Sequence, residues 1–297
     1  MRWDYVDYFP DYAASPVIWA AEHGVTTLLE KALHYGAHIP STTPTGVRLD
    51  FQDIPPQMHP LAVAAYHGHD EIVSILLKYG CSLDVCGSDD YSLLSMATMG
   101  NQIHLVQRFL DLGLRQDTVT SINPPTPLQV AATYGREKIV KLLLSAPENN
   151  LPTLEQMQRA IQIAFNPTPR HPHIVSQLLE HGLDPNFRYS DAGSEDYPQT
   201  PIESAVYYEE LELVKQLLEK GADATKALLK ATKKGQSDMV KVLIQSCMTD
   251  RTLCTEALCL AIDRQDSTIV CDLLAIGVNC NFEEPAFICA VLNGDGL

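Results

Sequence analysis

The feature that most constrains this chain is a segment of about 20 residues that recurs at a nearly fixed interval. Residues 60–80, PLAVAAYHGHDEIVSILLKYG, return in a similar form as residues 126–144, TPLQVAATYGREKIVKLLL. With the slot of Pro60 as a marker, copies are placed at Pro16, Pro60, Leu93, Pro127, Ala160, Pro201, Ala227, Ala257 and Ala286. Three consecutive intervals are 33, 34 and 33 residues, which indicates stacked repeat units with insertions and deletions in the loops between other copies.

Each copy reads as two short helices joined by a tight turn. The first helix carries small residues such as Ala64 and Ala65, which allow a neighbouring unit to approach closely, and the second places Ile72, Val73, Leu76 and Leu77 on one apolar face. A glycine such as Gly80 follows the second helix in six copies, where it can end a helix at positive φ. A single unit would leave half of its apolar surface exposed, so stacking is required for folding.

The composition limits the classes of partner and compartment. The 297 residues include 21 Lys and Arg against 37 Asp and Glu, a net charge of −16 that disfavours nucleic acid as a general partner. The longest apolar stretches, residues 61–65 and 286–292, are too short to cross a bilayer, and the start of the chain does not resemble a signal peptide. The eight cysteines lack the density of a disulfide scaffold, so we expect a soluble protein of the cytoplasm or nucleus that does not contact membranes.

Several copies resemble the ankyrin repeat. The resemblance is carried by Thr126-Pro127-Leu128, Ala131-Ala132, Gly135 and Ile139-Val140, with Gly221-Ala222-Asp223 at a repeat end, and it runs from about Ser15 to Gly294. It implies an all-α ankyrin-repeat solenoid of helix-turn-helix units with short hairpin or loop connections. The opening of the array is similar to that of fungal ankyrin proteins, some of which carry an F-box, but the 14 preceding residues are too few to form that domain.

The repeat frame predicts two regions. Residues 1–14, acidic and aromatic, are expected to cap the array, and residues 15–297 to form about eight full repeats and a terminal half repeat. Insertions are expected near 38–58, 166–172 and 187–199. Because three prolines of residues 166–172 cannot sit inside a helix, we expect that stretch to form an outward loop.

One departure from the ankyrin pattern concerns a bracing hydrogen bond. The resemblance implies a His two positions after the marker, bonded to the Thr before the marker. In this chain the slot contains Ile18, Ala62, Ser95, Gln129, Gln162, Glu203, Leu229, Cys259 and Ile288. We therefore expect the brace to be absent throughout.

A search for chemistry favours structural roles for the reactive residues. His171 and His173 could hold a metal only with further ligands that the sequence does not supply, and six cysteines between 247 and 289 match no zinc spacing, which favours packing for Cys259. Histidines 23, 67 and 69 are expected to cap helices or lie on the surface. A run of lysines from 226 to 241 forms either a solvated face or contacts with acidic groups of a partner or of the chain itself. No nucleotide-binding or hydrolase motif is present, so we expect no enzyme activity, catalytic residue, metal or cofactor.

Tyrosine is concentrated in the slots that the ankyrin resemblance places on a concave surface. These slots are the ends of the first helices and the hairpin tips, about 15% of positions, and they contain seven of the 12 tyrosines. The predicted partner-binding residues are Tyr12, Glu22, His23, Tyr66, His67, Asp89, Tyr91, Tyr134, Asp196, Tyr197, Tyr207 and Tyr208. Tyrosine dominates binding hot spots because it offers a large, rigid contact area and one hydroxyl.

These observations predict a non-catalytic scaffold or adaptor that binds a protein on a stripe through repeats one to six. Glu22, Asp89 and Asp196 would rim the stripe, so the partner should offer basic or apolar side chains. The rival interpretation of the tyrosines is that they pack against neighbouring repeats. Two other functions stay open, namely a small-molecule site or motif-less enzyme in the groove of the solenoid, and a purely structural spacer.

Overall fold

The structure is a computed structural model, and the residues it describes are 15–39, 59–85, 91–116, 125–165, 170–189, 197–247 and 250–277. They contain sixteen α-helices and a short 3-10 turn at Glu148–Asn150. The chain divides into two compact units, Met1–Ile163 and Ala164–Leu297, and the division falls within α9. The all-α class is confirmed.

The first unit stacks helix pairs in chain order. Its helices are α1 (Pro16–His23), α2 (Thr26–His34), α3 (Pro60–His67), α4 (Asp70–Lys78), α5 (Leu93–Met99), α6 (Ile103–Asp111), α7 (Pro127–Thr133), α8 (Glu137–Leu144) and most of α9 (Leu154–Phe165). First helices pack against first helices, with α3 between α1 and α5 and α5 between α3 and α7, while α2 packs on α4 and α6 on α8. The alanines and leucines between these helices are fully buried, so the core runs through the middle of the stack.

The second unit repeats this arrangement. It holds the end of α9 and then α10 (Pro172–Glu180), α11 (Pro201–Tyr207), α12 (Leu211–Glu219), α13 (Thr225–Lys234), α14 (Ser237–Cys247), α15 (Arg251–Asp263) and α16 (Ser267–Ala275). Helix α13 lies between α11 and α15, and the second helices α10, α12, α14 and α16 pack in the same sequence. Each second helix buries one apolar face, for example Leu213, Val214 and Leu217 of α12.

Local sequence explains where the helices begin and end. Proline stands at the first turn of α1, α3, α7, α10 and α11, where its missing N–H costs nothing. The glycines after the second helices adopt positive φ, as predicted, with Gly80 at 87°. Pro172 corrects one expectation, because it is the first residue of α10 and not part of an outward loop; residues 166–169 lie outside the described residues.

No repeat has His in this slot, so the His-to-Thr brace is absent as predicted, but in three repeats the slot residue makes another bond to the residue before the marker. Thr126 and Gln129 form a reciprocal capping box, in which the Gln129 N–H donates to Thr126 Oγ1 at 3.3 Å and the Thr126 N–H donates to Gln129 Oε1 at 3.1 Å. The same slot pairs Ser95 with Ser92 and Glu203 with Thr200. Ser95 also donates to the Pro125 carbonyl of the next repeat, at 3.3 Å. A capping box thus forms at Thr126, while the Ser92 and Thr200 hydroxyls cap their helices by accepting from the backbone N–H of the slot residue.

A second set of hydrogen bonds joins neighbouring repeats at four boundaries. The residue that precedes a second helix sends its side chain to a backbone carbonyl at the end of the preceding repeat's first helix. The bonds run from His69 to Glu22 at 3.0 Å, from Gln102 to Tyr66 at 3.1 Å, from Arg136 to Met99 at 3.2 Å, and from Gln236 to Val206 at 3.1 Å. We call this set the carbonyl ladder. It satisfies carbonyls that a helix end leaves without intrahelical partners.

Close approach between repeats depends on a missing side chain at Gly100. A Cβ added there would overlap the Tyr66 carbonyl oxygen, which is also the acceptor of the Gln102 amide. Gly100 has a φ of −70°, so its backbone does not require glycine for conformational reasons. The neighbouring first helix is the reason for glycine at this position.

Other predictions meet mixed outcomes. Cys247 and Cys254 are buried as packing residues, but Cys259 is exposed, so its expected place in the core is wrong. The core face of α15 passes through Ala257, Leu258 and Ala261 instead. The cap at residues 1–14, the half repeat near 286–292 and most of the insertions at 38–58 and 187–199 lie outside the described residues.

Candidate functional site

In the first unit, aromatic and imidazole rings meet at the ends of α1 and α3. The Trp19 and His23 rings stack with centroids 4.2 Å apart, the Tyr66 and His67 rings meet edge to face at 5.0 Å, and the His67 and His69 rings stack at 6.0 Å. We call these five residues the first aromatic cluster. Tyr66 is 36% exposed, so its ring covers the helix end and still offers surface to solvent.

The histidines of this cluster are tied to backbone and to one another. His23 Nδ1 lies 3.0 Å from the Trp19 carbonyl, and His69 Nε2 donates to the Glu22 carbonyl. Burial lowers the pKa of His67 below its usual value; Glu22 raises it, and His69 and His23 lower it further. His67 therefore favours its neutral form at pH 7, and it lies beside the exposed Glu22 carboxylate. The predicted capping and surface roles of these histidines are confirmed.

Tyr134 lies at the end of α7 in the same unit. It is the C-cap residue, 47% exposed, and the Arg136 guanidinium sits 5.9 Å from the centre of its ring. Arg136 is itself held by its bond to the Met99 carbonyl. The Tyr134 ring is thus oriented by a cation from its own repeat. Tyr91, in contrast, is half-buried just before α5.

The second unit has its own ring cluster at the end of α11. The Tyr208 ring stacks on Phe165 at 6.0 Å, lies 4.9 Å from Tyr207 in an edge contact, and has the Arg170 guanidinium 4.2 Å from its centre. Lys234 Nζ lies 3.6 Å from the centre of the Tyr207 ring and donates to the Tyr207 carbonyl at 3.1 Å. We call these five residues the second aromatic cluster. Tyr207 is 37% exposed, whereas Tyr208 is half-buried between its neighbours and has mainly a packing role.

A buried ion pair lies next to the backbone of Tyr197 and Gln199. Glu203 is 3% exposed and its Oε2 accepts from Lys230 Nζ at 2.7 Å and from the Gln199 N–H at 3.1 Å. Lys230 also donates to the Tyr197 carbonyl at 3.0 Å, which fixes the backbone of a tyrosine whose side chain is 63% exposed. The interpretation of the lysine run as contacts with the chain's own acidic groups is confirmed for Lys230, and for Lys241, which pairs with Asp272 at 3.4 Å.

The twelve predicted residues are thus distributed unevenly. Glu22, His23, Tyr66 and His67 come together in the first unit, with Tyr134 in a separate position, and Tyr207 and Tyr208 come together in the second. Tyr12, Asp89 and Asp196 lie outside the described residues. Each unit therefore carries its own part of the predicted stripe.

Sequence reasoning missed Trp19, Phe165 and Arg170 as members of these clusters. Trp19 stands one turn before His23 in α1, a spacing at which side chains meet, so this contact was within reach of sequence analysis. Phe165 and Arg170 flank residues 166–169 and meet Tyr208 from another repeat. A contact across about 40 positions leaves no local sequence signal.

Within the described ranges, no group of three or more His, Cys, Asp or Glu side chains is placed to hold a metal ion. His171 and His173 stand on either side of Pro172 at the start of α10. No described helix combines the length and the apolarity needed to span a membrane.

Comparisons with known proteins agree with the repeat pattern. The family model described as "Ankyrin repeats (3 copies)" matches residues 61–153, 94–189 and 202–284. The ankyrin repeat and KH domain-containing protein mask-1 of Caenorhabditis elegans is 24% identical over 247 residues, 75% of this chain and 9% of that protein. A putative E3 ubiquitin-protein ligase of Arabidopsis thaliana is 28% identical over 132 residues, 41% of this chain and 29% of that protein. The ankyrin repeat protein nuc-2 of Neurospora crassa is 27% identical over 165 residues, 55% and 15% respectively. The chain thus spans less than a third of the length of each of these relatives.

Proposed function

The chain belongs to the ankyrin-repeat family, and from that premise we propose that it is a non-catalytic scaffold that binds a partner protein at the ends of its first helices. Ankyrin repeats generally mediate contacts between proteins. The observation that carries the proposal here is the exposure of Tyr66, Tyr134 and Tyr207, at 36%, 47% and 37%, at the ends of the first helices of three repeats. A surface that only closed helix ends would bury these rings further.

The chemistry of these positions favours a partner with apolar and basic side chains. In the first unit, Tyr66 and neutral His67 lie beside the exposed Glu22 carboxylate, in a chain with a net charge of −16. Rings of this kind accept apolar side chains and the stems of Lys or Arg, and the carboxylate adds attraction for their charged ends. The first aromatic cluster and Tyr134 therefore form the surface that we assign to the partner.

The second unit offers a different surface. Cations already cover both of its rings at the end of α11, with Lys234 on Tyr207 and Arg170 on Tyr208. A basic side chain of a partner would compete with them. We therefore assign the main contact to the first unit, and to Tyr197 and Tyr207 a contact with apolar groups.

We further propose that the protein works in the cytoplasm or the nucleus. The five described cysteines, Cys81, Cys247, Cys254, Cys259 and Cys271, are free thiols, which suits a reducing compartment.

The test is affinity capture from the native source with the full-length protein and its Tyr66→Ala and Tyr134→Ala variants. We expect one set of proteins to be captured by the wild type and to fall about tenfold with each variant, as for hot-spot residues. The melting temperature should change little, because half-exposed rings contribute little to the core. Leu112→Ala is the matched control, since Leu112 is 49% exposed in the same unit but follows a second helix.

Two outcomes would contradict the proposal. If Tyr66→Ala and Tyr134→Ala lower the melting temperature as much as they lower capture, these rings are packing residues. If no protein is captured while the purified chain converts a metabolite, the groove of the repeats is an enzyme site instead.

A further inference from the structure

A groove on the opposite side of the helix pairs is not part of the surface described above. It lies between α2 and α4, has a volume of about 360 Å³, and is lined chiefly by Lys31, His34, Tyr35, Ile75, Lys78 and Tyr79. We call it the second-helix groove. Tyr35 is 86% exposed and Tyr79 is 51% exposed, so two large rings at equivalent positions after α2 and α4 stand in solvent. Exposed aromatic rings beside a concavity offer apolar contact area to a complementary segment.

The charge of the groove differs from that of the whole chain. Lys31 and Lys78 lie on its two sides, both exposed, and neither takes part in the ion pairs of the described residues. Glu30 is the one carboxylate among the lining residues. A protein with a net charge of −16 thus places two unpaired lysines around two exposed rings. The complementary occupant combines carboxylates with aromatic side chains.

The chain itself contains such a segment. Residues 3–11, WDYVDYFPD, carry three aspartates, five aromatic or aliphatic side chains and no Lys or Arg. The segment carries negative charge where the groove carries two lysines, and both the segment and the groove contain aromatic side chains. We propose that residues 3–11 bind in the second-helix groove, with Asp4, Asp7 or Asp11 at Lys31 and Lys78 and aromatic side chains against Tyr35 and Tyr79.

The point of attachment favours this pairing. The short turn at Gly24 and Val25 joins the end of α1 to the start of α2, so the start of α1 lies level with the end of α2, where His34 and Tyr35 stand. Residue 11 is only four positions before Ser15, about 14 Å of extended chain. Packed helices are about 8–10 Å apart, so the segment can cross from α2 to α4.

Tethering makes a weak interaction sufficient. A segment joined to its site by a few residues has an effective concentration in the millimolar range. Contacts too weak to be detected between separate molecules would therefore keep the groove occupied. The consequence is that the first two repeats are covered on their second-helix side by the chain itself, while the first aromatic cluster stays open.

The test is zero-length cross-linking of the full-length protein with a water-soluble carbodiimide, which joins a carboxylate to an amine only where they touch. After digestion and mass spectrometry, we expect Asp4, Asp7 or Asp11 linked to Lys31 or Lys78. Lys138 and Lys141, exposed on the second helix α8 of the same unit, are the internal controls and should give at least about tenfold less product. A Tyr35→Ala, Tyr79→Ala double variant should lower the yield at Lys31 and Lys78 about tenfold with an unchanged melting temperature.

A mixture of ¹⁵N-labelled and unlabelled protein identifies the occupant. Links within one isotopic form support the proposal, whereas hybrid links between labelled and unlabelled copies mean that a second copy fills the groove and overturn it. Equal yields at Lys138 or Lys141, yields that do not depend on Tyr35 and Tyr79, or no link at all would also overturn it. These results do not depend on the partner surface, because Tyr66 and Tyr134 take no part in them.

Discussion

His59 occupies the N-cap position of α3, the slot that Thr126 fills before α7. Its Nδ1 accepts from the Leu61 N–H at 3.1 Å, and the side chain is 5% exposed. Only the deprotonated ring nitrogen can accept this bond. Burial lowers the pKa of His59 to about 4. The hydrogen bond and the lowered pKa therefore both favour the neutral imidazole.

This pKa makes folding sensitive to mild acid. In the unfolded chain His59 regains its ordinary pKa of 6.5, so the unfolded state binds a proton first as the pH falls. The stabilisation is complete above pH 6.5 and is lost as the pH falls from there towards 4. Between pH 7 and pH 5 the loss should be about 2 kcal/mol.

Urea unfolding at the two pH values measures this effect. His59→Asn keeps an N-cap acceptor and removes the titration, so the variant should lose about 2 kcal/mol less than the wild type between pH 7 and pH 5. The other nine histidines are common to both proteins and cancel in the comparison. Identical losses in the two proteins would show that His59 does not retain a lowered pKa.

Lys230 and Glu203 provide a second test at single residues. Removing one partner of a buried pair leaves the other charge without compensation, so Lys230→Met should lower the free energy of unfolding by about 2–3 kcal/mol. A second change, Glu203→Gln, should restore part of that loss because no charge remains buried. Lys215→Met is the control, since its partner Glu212 is 80% exposed, and it should cost less than about 0.5 kcal/mol. A double variant less stable than Lys230→Met would contradict this account.

Between helices, contact across a repeat boundary decides which residues are tolerated. Gly100 meets the backbone of α3, and Gly80, at the end of α4, has a φ of 87° and no atom near the position of a Cβ. Gly80→Ala should therefore cost only the strain of the left-handed backbone, about 1 kcal/mol. Gly100→Ala should cost about 2–3 kcal/mol, because α3 and α5 must separate. Chemical denaturation of the two variants measures the difference, and a larger loss for Gly80→Ala would exclude backbone overlap as the cause.

The repeat pattern predicted the helices and their stacking because both follow from short-range order. Apolar spacing, N-terminal prolines and C-terminal glycines act within one repeat, and they placed Tyr66, Tyr134 and Tyr207 at helix ends, where the structure has them. The carbonyl ladder was not predicted, because the acceptors of His69 and Gln102 stand 47 and 36 positions earlier, in another repeat. Long donor side chains nine residues after the marker were the available signal.

The candidate site was less predictable than the fold for the same reason. Slots indicated which tyrosines lie at helix ends, but not that Arg170 and Phe165 hold Tyr208 while Tyr207 remains more open. The exposure of a tyrosine ring depends on side chains from other repeats and on nearby cations, and the repeat period predicts neither. The exposed Tyr35 and Tyr79 follow second helices, outside the slots that the ankyrin resemblance places on the concave surface.

For the whole molecule, the excess of negative charge opposes compactness. The net charge of −16 is offset by few ion pairs in the described residues, and exposed pairs contribute little each. Salt should therefore weaken the repulsion between the negative charges more than it weakens the attraction within the ion pairs. Raising NaCl from about 0.01 M to about 0.15 M should raise the melting temperature by about 2–4 °C, close to 1 kcal/mol. A fall over this range, measured by calorimetry with an uncharged osmolyte as control, would show that attractive pairs dominate.

The carbonyl ladder has a consequence for how such a chain can diverge. An imidazole, two carboxamides and a guanidinium make equivalent bonds at four repeat boundaries, so what is specified is reach and an N–H group, not a particular amino acid. Substitution among these donors changes the amino-acid sequence and keeps the hydrogen bond between the repeats. Percentage identity between repeats, or between this array and another, therefore understates how many inter-repeat hydrogen bonds two sequences share.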